Sequence, residues 1–201
     1  SLWSMGTGWA GALGTGSDDD NATPNQVIDS NVALASAGGN HSLFVKSDGS
    51  LWGMGFNTSG QLGDGSTADR LLPVEILSSG VASVATGDNH SLILKSDGSL
   101  WAMGNNAYGQ LGDGSLINRS SPVQIESSGI AFCASGDNHS LYATTADQLK
   151  SMGRNRKGAL GDGSTQDQST PVTVRDGGLN ITMSEDGSPT AWSVPELLAS
   201  D

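Results

Sequence analysis

Leu51-Trp52-Gly53-Met54-Gly55-Phe56-Asn57-Thr58-Ser59-Gly60-Gln61-Leu62-Gly63-Asp64-Gly65 is answered 49 residues later by Leu100-Trp101-Ala102-Met103-Gly104-Asn105-Asn106-Ala107-Tyr108-Gly109-Gln110-Leu111-Gly112-Asp113-Gly114. The same frame opens the chain at Leu2-Trp3 and returns a fourth time at Leu149-Lys150. Met-Gly keeps step at Met5, Met54, Met103 and Met152, and Leu-Gly-x-Gly at Leu13, Leu62, Leu111 and Leu160. A proline follows at Pro24, Pro73, Pro122 and Pro171, and Gly-x-Asn-His-Ser is centred on His41, His90 and His139. Landmarks held in register over so many copies define a repeat array, and missing such an array mis-assigns the whole fold. The chain reads as one repeat domain over 1–201, with units of approximately 1–50, 51–99, 100–148 and 149–201.

Within a unit the pattern is all β. Residues 81–86, 91–95 and 100–103 are short, partly alternating runs bounded by Gly, Asp or Asn, as half-buried strands are. Ser96-Asp97-Gly98-Ser99 joins the second run to the third as a tight hairpin, because Asp-Gly supplies the positive φ such turns demand. A fourth strand is expected over 122–125, with Pro122 as its first residue, where no ladder donor is needed. Four short strands per unit match one β-propeller blade. The last unit departs from the pattern: no Asn-His-Ser recurs, and Ser184-Glu185-Asp186-Gly187-Ser188 arrives about nine residues early, with Trp192 in the part of Trp52. That unit is expected to lack a strand. Only Pro195–Ala199 hints at a helical period.

Composition narrows the function classes. Glycine takes 29 of 201 positions, about twice the usual share of about 7%, and the repeat assigns most of them to turns. A formal charge of −12 argues against general binding to phosphate backbones, which needs clustered Lys and Arg. No apolar run approaches the ~18 residues of a membrane helix. One cysteine, Cys133, excludes an internal disulfide; in the slot of Ala35 and Val84 it is expected to be a buried apolar thiol. Acidity and turn-rich β structure favour a secreted or surface protein slightly over a cytosolic one.

The unit Leu-Trp-x-Met-Gly-x-Asn-x-x-Gly-Gln-Leu-Gly-Asp-Gly, then Pro-Val, Gly-Asp-Asn-His-Ser-Leu and Ser-Asp-Gly, resembles the RCC1 (regulator of chromosome condensation) repeat. The Met at 54 and 103, where that family commonly has a second Trp, looks like its bacterial branch. The resemblance implies a seven-bladed β-propeller of about 350 residues, of which four units stand here. A piece of a longer ring is the preferred expectation, an oligomer-completed ring or filament the next, and an unusual four-unit closure the third. The nucleotide-exchange and chromatin roles of the namesake are not expected, since no basic tail is present. A β-lactamase-inhibiting role, seen in a secreted relative, has no residue arguing for it.

Catalytic and metal readings are weak. Equivalent histidines on successive blades lie roughly 10 Å apart, as packed sheets do, and cannot converge like zinc ligands; His41, His90 and His139 are read as structural, satisfied by backbone hydrogen bonds. Calcium wants six to eight oxygens, and Asp18, Asp19 and Asp20 are its best candidate ligands, beside the pairs Asp64/Asp69 and Asp162/Asp167. A calcium- or carbohydrate-binding surface module is the last alternative considered; no cofactor is expected. No nucleophile elbow and no phosphate-cradling Gly-x-x-x-x-Gly-Lys stretch occurs. Asn-x-Ser/Thr at Asn21, Asn40, Asn57, Asn89, Asn118, Asn138 and Asn180 is largely a by-product of the repeat.

What varies between units is more informative. After Met-Gly the copies carry Thr7, Trp9, Ala10; Phe56, Thr58, Ser59; Asn105, Ala107, Tyr108; and Arg154, Arg156, Lys157. Further on stand Leu116 and Ile117. Aromatic and Arg side chains are enriched at binding hot spots. Trp9, Phe56, Tyr108, Leu116, Ile117, Arg154, Arg156 and Lys157 are therefore the expected partner-binding residues of a non-catalytic scaffold, with a protein or another copy of the chain as partner and no nucleic acid. Lys150, Arg154, Arg156 and Lys157 hold four of the nine positive charges and form a basic cluster suited to steering an acidic partner.

Overall fold

A computed structural model describes residues 1–176 in full, and the backbone of Asn180–Met183 and Pro189–Ser193. Three four-stranded antiparallel sheets succeed one another. The first holds β3 (Val32–Ala37), β4 (His41–Lys46), β5 (Leu51–Gly55) and β6 (Arg70–Leu77) in that order. The second holds β7 (Val81–Thr86), β8 (His90–Lys95), β9 (Leu100–Gly104) and β10 (Arg119–Glu126). The third holds β11 (Ile130–Ser135), β12 (His139–Thr144), β13 (Gln148–Gly153) and β14 (Gln168–Asp176). Before them β1 (Leu2–Gly6) pairs with β2 (Asn21–Ile28), and after them β15 (Asn180–Met183) pairs with β16 (Pro189–Ser193). The Ser184–Ser188 and Pro195–Ala199 readings lie outside the described residues.

Each sheet takes its first two strands from one sequence unit and its last two from the next. Neighbouring units are thus stitched into a common blade by hydrogen bonds. The first strands contact one another across blades, with Ser36 Oγ 2.7 Å from Thr86 Oγ1, so β3, β7 and β11 are the innermost strands and β6, β10 and β14 the outermost. The outer strands begin three residues earlier than expected. Pro73 and Pro122 stand inside β6 and β10 rather than at their starts, which is tolerated because these are edge strands whose register shifts between Gly53 and Gly55 and between Arg119 and Val123.

The core lies between blades. Leu43, Val45, Leu51 and Leu62 pack with Val81, Val84, Ile93 and Met103; Leu92, Leu94, Leu100 and Leu111 pack with Ile130, Cys133, Tyr142 and Met152. Each such side chain fully removed from water contributes about 1.5–3 kcal/mol. Cys133 is buried, and burial pushes its thiol up to about 12. One joint is chemically different. Leu77 and Trp101 pack beside Ile93, whereas the corresponding Glu126, Lys150 and Tyr142 form a polar set: Tyr142 donates its hydroxyl to Glu126, and Lys150 Nζ lies 3.5 Å from Glu126 Oε1.

A glycine turn fixes the blade-to-blade approach. The turn after the third strand of one blade rests on the outer strand of the next, so closely that a methyl on Gly60 would come within 2.4 Å of Ser120 Cα. Gly60 also sits at φ +81°, open to glycine at no steric cost. At the opposite end of the strands, Asp48 accepts from the N–H and hydroxyl of Ser50, Ser50 accepts from the Trp52 indole, and Lys46 lies over the Trp52 ring. The expected Ser-Asp-Gly-Ser hairpin is thereby held.

Candidate partner-binding face

Three buried asparagines organise the loops between third and fourth strands. Asn57 Nδ2 donates to Asp64 Oδ1 and to the Ala68 carbonyl, while its Oδ1 accepts the Leu62 N–H. Asn106 and Asn155 repeat the arrangement with Asp113 and Leu111, and with Asp162 and Leu160. The asparagine N–H is closed by Asp69, Asn118 or Asp167, twelve residues on. Burial opposes ionisation of Asp64 and Asp113, but hydrogen bonds from Ser66 and Arg70, and from Ser115 and Arg119, hold both carboxyls below their usual range. Arg70 and Arg119 close the loops with ion pairs of 2.6 and 2.7 Å.

These oxygens are occupied by the loop's own donors. Asp20 likewise accepts from the Gly8 N–H and the Thr7 hydroxyl, and Asp18 and Asp19 are exposed. Among the described residues no group of three or more His, Cys, Asp or Glu side chains is arranged to hold a metal ion. The Asp-Gly loops are held by these turn hydrogen bonds.

Two of the histidines, His41 and His90, link blades, through side chains rather than the expected backbone bonds. His41 Nε2 lies 2.8 Å from Ser91 Oγ, and His90 Nε2 lies 2.9 Å from Ser140 Oγ. Each serine donates its own proton onward, Ser91 to the Gln61 carbonyl and Ser140 to that of Gln110. Its oxygen is left to accept, which places the imidazole proton on Nε2. Burial lowers the pKa of His41 to about 4 and, with the neighbouring histidines, that of His90 to about 3, so both rings are neutral. The signal for this contact is a spacing of one repeat plus one residue, and the asparagine network is visible only as Asn57, Asn106 and Asn155 recurring one period apart.

The rigid loops set the variable side chains on one face. Trp9, 51% exposed, meets Phe56 of the next unit with ring centroids 4.9 Å apart. Two joints further on, the Arg154 guanidinium lies over the Tyr108 ring at 4.8 Å. Arg154, Arg156 and Lys157 border an open cavity of about 770 Å³ together with Asp137, Asn138 and His139. Lys150 does not join them, being engaged with Glu126. Leu116 and Ile117 project from the Tyr108 loop at 62% and 64% exposure. The structure thus gathers the expected residues into two ring pairs, a basic trio and an aliphatic tip.

The family model described as the Regulator of chromosome condensation (RCC1) repeat matches residues 1–45, 48–94 and 97–143, and a second model of the same description matches 32–61 and 81–110. The crystal structure of Kap60 bound to yeast RCC1 (Prp20) is similar at a TM-score of 0.78 and 22% identity, covering 89% of this chain and 46% of that one. Human WBSCR16 is similar at 0.73 and 24%, covering 90% and 54%. Prp20p from Saccharomyces cerevisiae, described with its binding to Gsp1p and histones, is similar at 0.72 and 22%, covering 89% and 48%. The chain spans about half the length of these structures. No curated protein sequence matches it. Among the described residues no helix is long and apolar enough to cross a membrane. The register of the four-stranded blades, the Asn-His-Ser joints and the matched repeats agree: the chain belongs to the RCC1 repeat family.

Proposed function

We propose that this protein is a non-catalytic β-propeller scaffold that binds another protein through the face carrying the loops between third and fourth strands. The observation that carries the reading is the pair of ring contacts, Trp9–Phe56 and Tyr108–Arg154, each bridging successive units on that face, with Trp9 exposed and Phe56, Tyr108 and Arg154 half-buried. A ring held by its neighbour loses little further freedom on binding, which favours affinity. The loops beneath are already ordered by Asn57 and Asn106. The similar solved structures, described with Kap60, Gsp1p and histones, support a protein-binding use of the fold. The test is capture by the whole chain against the variant Phe56→Ala/Tyr108→Ala. Proteins retained by the wild type should be lost by the variant at unchanged thermal unfolding; an identical retained set removes the proposal.

A further inference from the structure

Resting on the protein-binding reading, we infer that the partner element is an extended acidic segment with one aromatic or aliphatic anchor. The anchor packs on Trp9–Phe56, and carboxylates about six residues away reach Arg154, Arg156 and Lys157. Between the two ring pairs the loop face carries small or polar side chains, with Thr58 and Ala107 exposed and Ser59 and Asn105 partly so. Large rings at either end and small or polar residues between make a track suited to a single strand of chain. The two joints are two blade steps apart; at about 10 Å per packed sheet and about 3.3 Å per extended residue, the track takes about six residues.

Charge selects the polarity. The protein as a whole carries −12, yet at this end of the track three cations line the cavity and Asp137 is the one carboxylate among its lining residues. Arg156 and Lys157 are exposed, and neither forms an ion pair with a described carboxylate, in contrast to Arg70, Arg119 and Lys150. Arg154 is oriented by Tyr108, so its charge is presented at little entropic cost. An acidic segment would be repelled by most of this molecule's surface and attracted here, which gives both steering and register.

The probe is a display library of random linear peptides selected on the whole chain. Selected sequences should carry an aromatic or aliphatic residue with Asp or Glu about six positions away. The charge-reversed variant Arg156→Glu/Lys157→Glu should bind those peptides roughly tenfold more weakly and, selected afresh, should return basic residues in place of the acidic ones. Peptides without acidic bias, an unchanged selection on the reversed variant, or no enrichment at all would each overturn the inference. None of these touches the protein-capture result with Phe56→Ala/Tyr108→Ala, so the two readings fail separately.

Discussion

His41 Nε2 and Ser91 Oγ, 2.8 Å apart, lie on different blades, and the serine hands its own proton to the Gln61 carbonyl. The contact repeats at His90 and Ser140. Each joint between the three complete blades is therefore crossed by a buried relay, and protonating its imidazole would add a buried charge and an Nδ1–H at a nitrogen that has no partner.

Acid should loosen these joints. Folded His41 and His90 titrate near 4 and 3, whereas an unfolded histidine titrates near 6.5. The unfolded chain therefore takes up protons first as pH falls. Stability is full above about 6.5 and declines below it, by about 1.4 kcal/mol per pH unit for each ring, until the folded rings themselves protonate. Thermal unfolding from pH 7.5 down to about 4.5 reads this directly. His90→Gln, which does not titrate, should shallow the slope; an unchanged slope would show that the acid response lies elsewhere.

Removing the serine isolates two groups at once. Ser91→Ala leaves the His41 Nε2–H and the Gln61 carbonyl without their shared partner in a buried joint. A loss of about 1–3 kcal/mol is expected, read as a lower urea midpoint at unchanged m-value. Ser47→Ala, on the exposed hairpin at the opposite end of the strands, should cost much less.

The joint between the second and third blades can be rewritten. Glu126→Leu alone strands the Tyr142 hydroxyl and should cost about 1–3 kcal/mol. Adding Tyr142→Ile and Lys150→Trp recreates the Leu77, Ile93 and Trp101 packing of the preceding joint and should recover most of that loss. A triple variant no more stable than the single would mean that the surrounding blades, not these three residues, set the tolerance.

Loop order depends on one amide. Asn106→Asp preserves shape but removes the donor to Asp113 Oδ1 and sets two carboxylates against each other. Destabilisation of about 2 kcal/mol is expected, with increased proteolysis within 105–118, while Asn105→Asp, which is not buried, should have a small effect.

The periodicity carried the fold. The inner strand at 81–86 is where alternation places it, and Cys133 is buried as its slot with Ala35 and Val84 implies. The outer strands were less legible, because Pro122 looks like a strand start until an edge strand with shifted register accommodates it. The contacts of the site were hidden for a geometric reason. Aligning units by their period places Trp9 in a column with Thr58, Ala107 and Arg156, yet blades touch across columns. Trp9 therefore meets Phe56, and Tyr108 meets Arg154. The histidine contact is shifted by one residue for the same reason. Lys150 follows Arg154 in any reading of charge, but the pleat sends it to Glu126.

Blocking one face at a time tests the account most directly. Thr58→Cys places a thiol on the loop face, and Ser96→Cys places one on the hairpin at the opposite end of the strands; both native residues are exposed. Cys133, buried and with its thiol raised to about 12, should stay unlabelled in the folded chain. Each variant is conjugated to a bulky maleimide polymer and its capture of the proteins retained by the wild type is measured. Loss of capture with the Thr58→Cys conjugate, and retention with the Ser96→Cys conjugate, is the predicted result. Retention with the first and loss with the second would contradict the assignment of binding to this face.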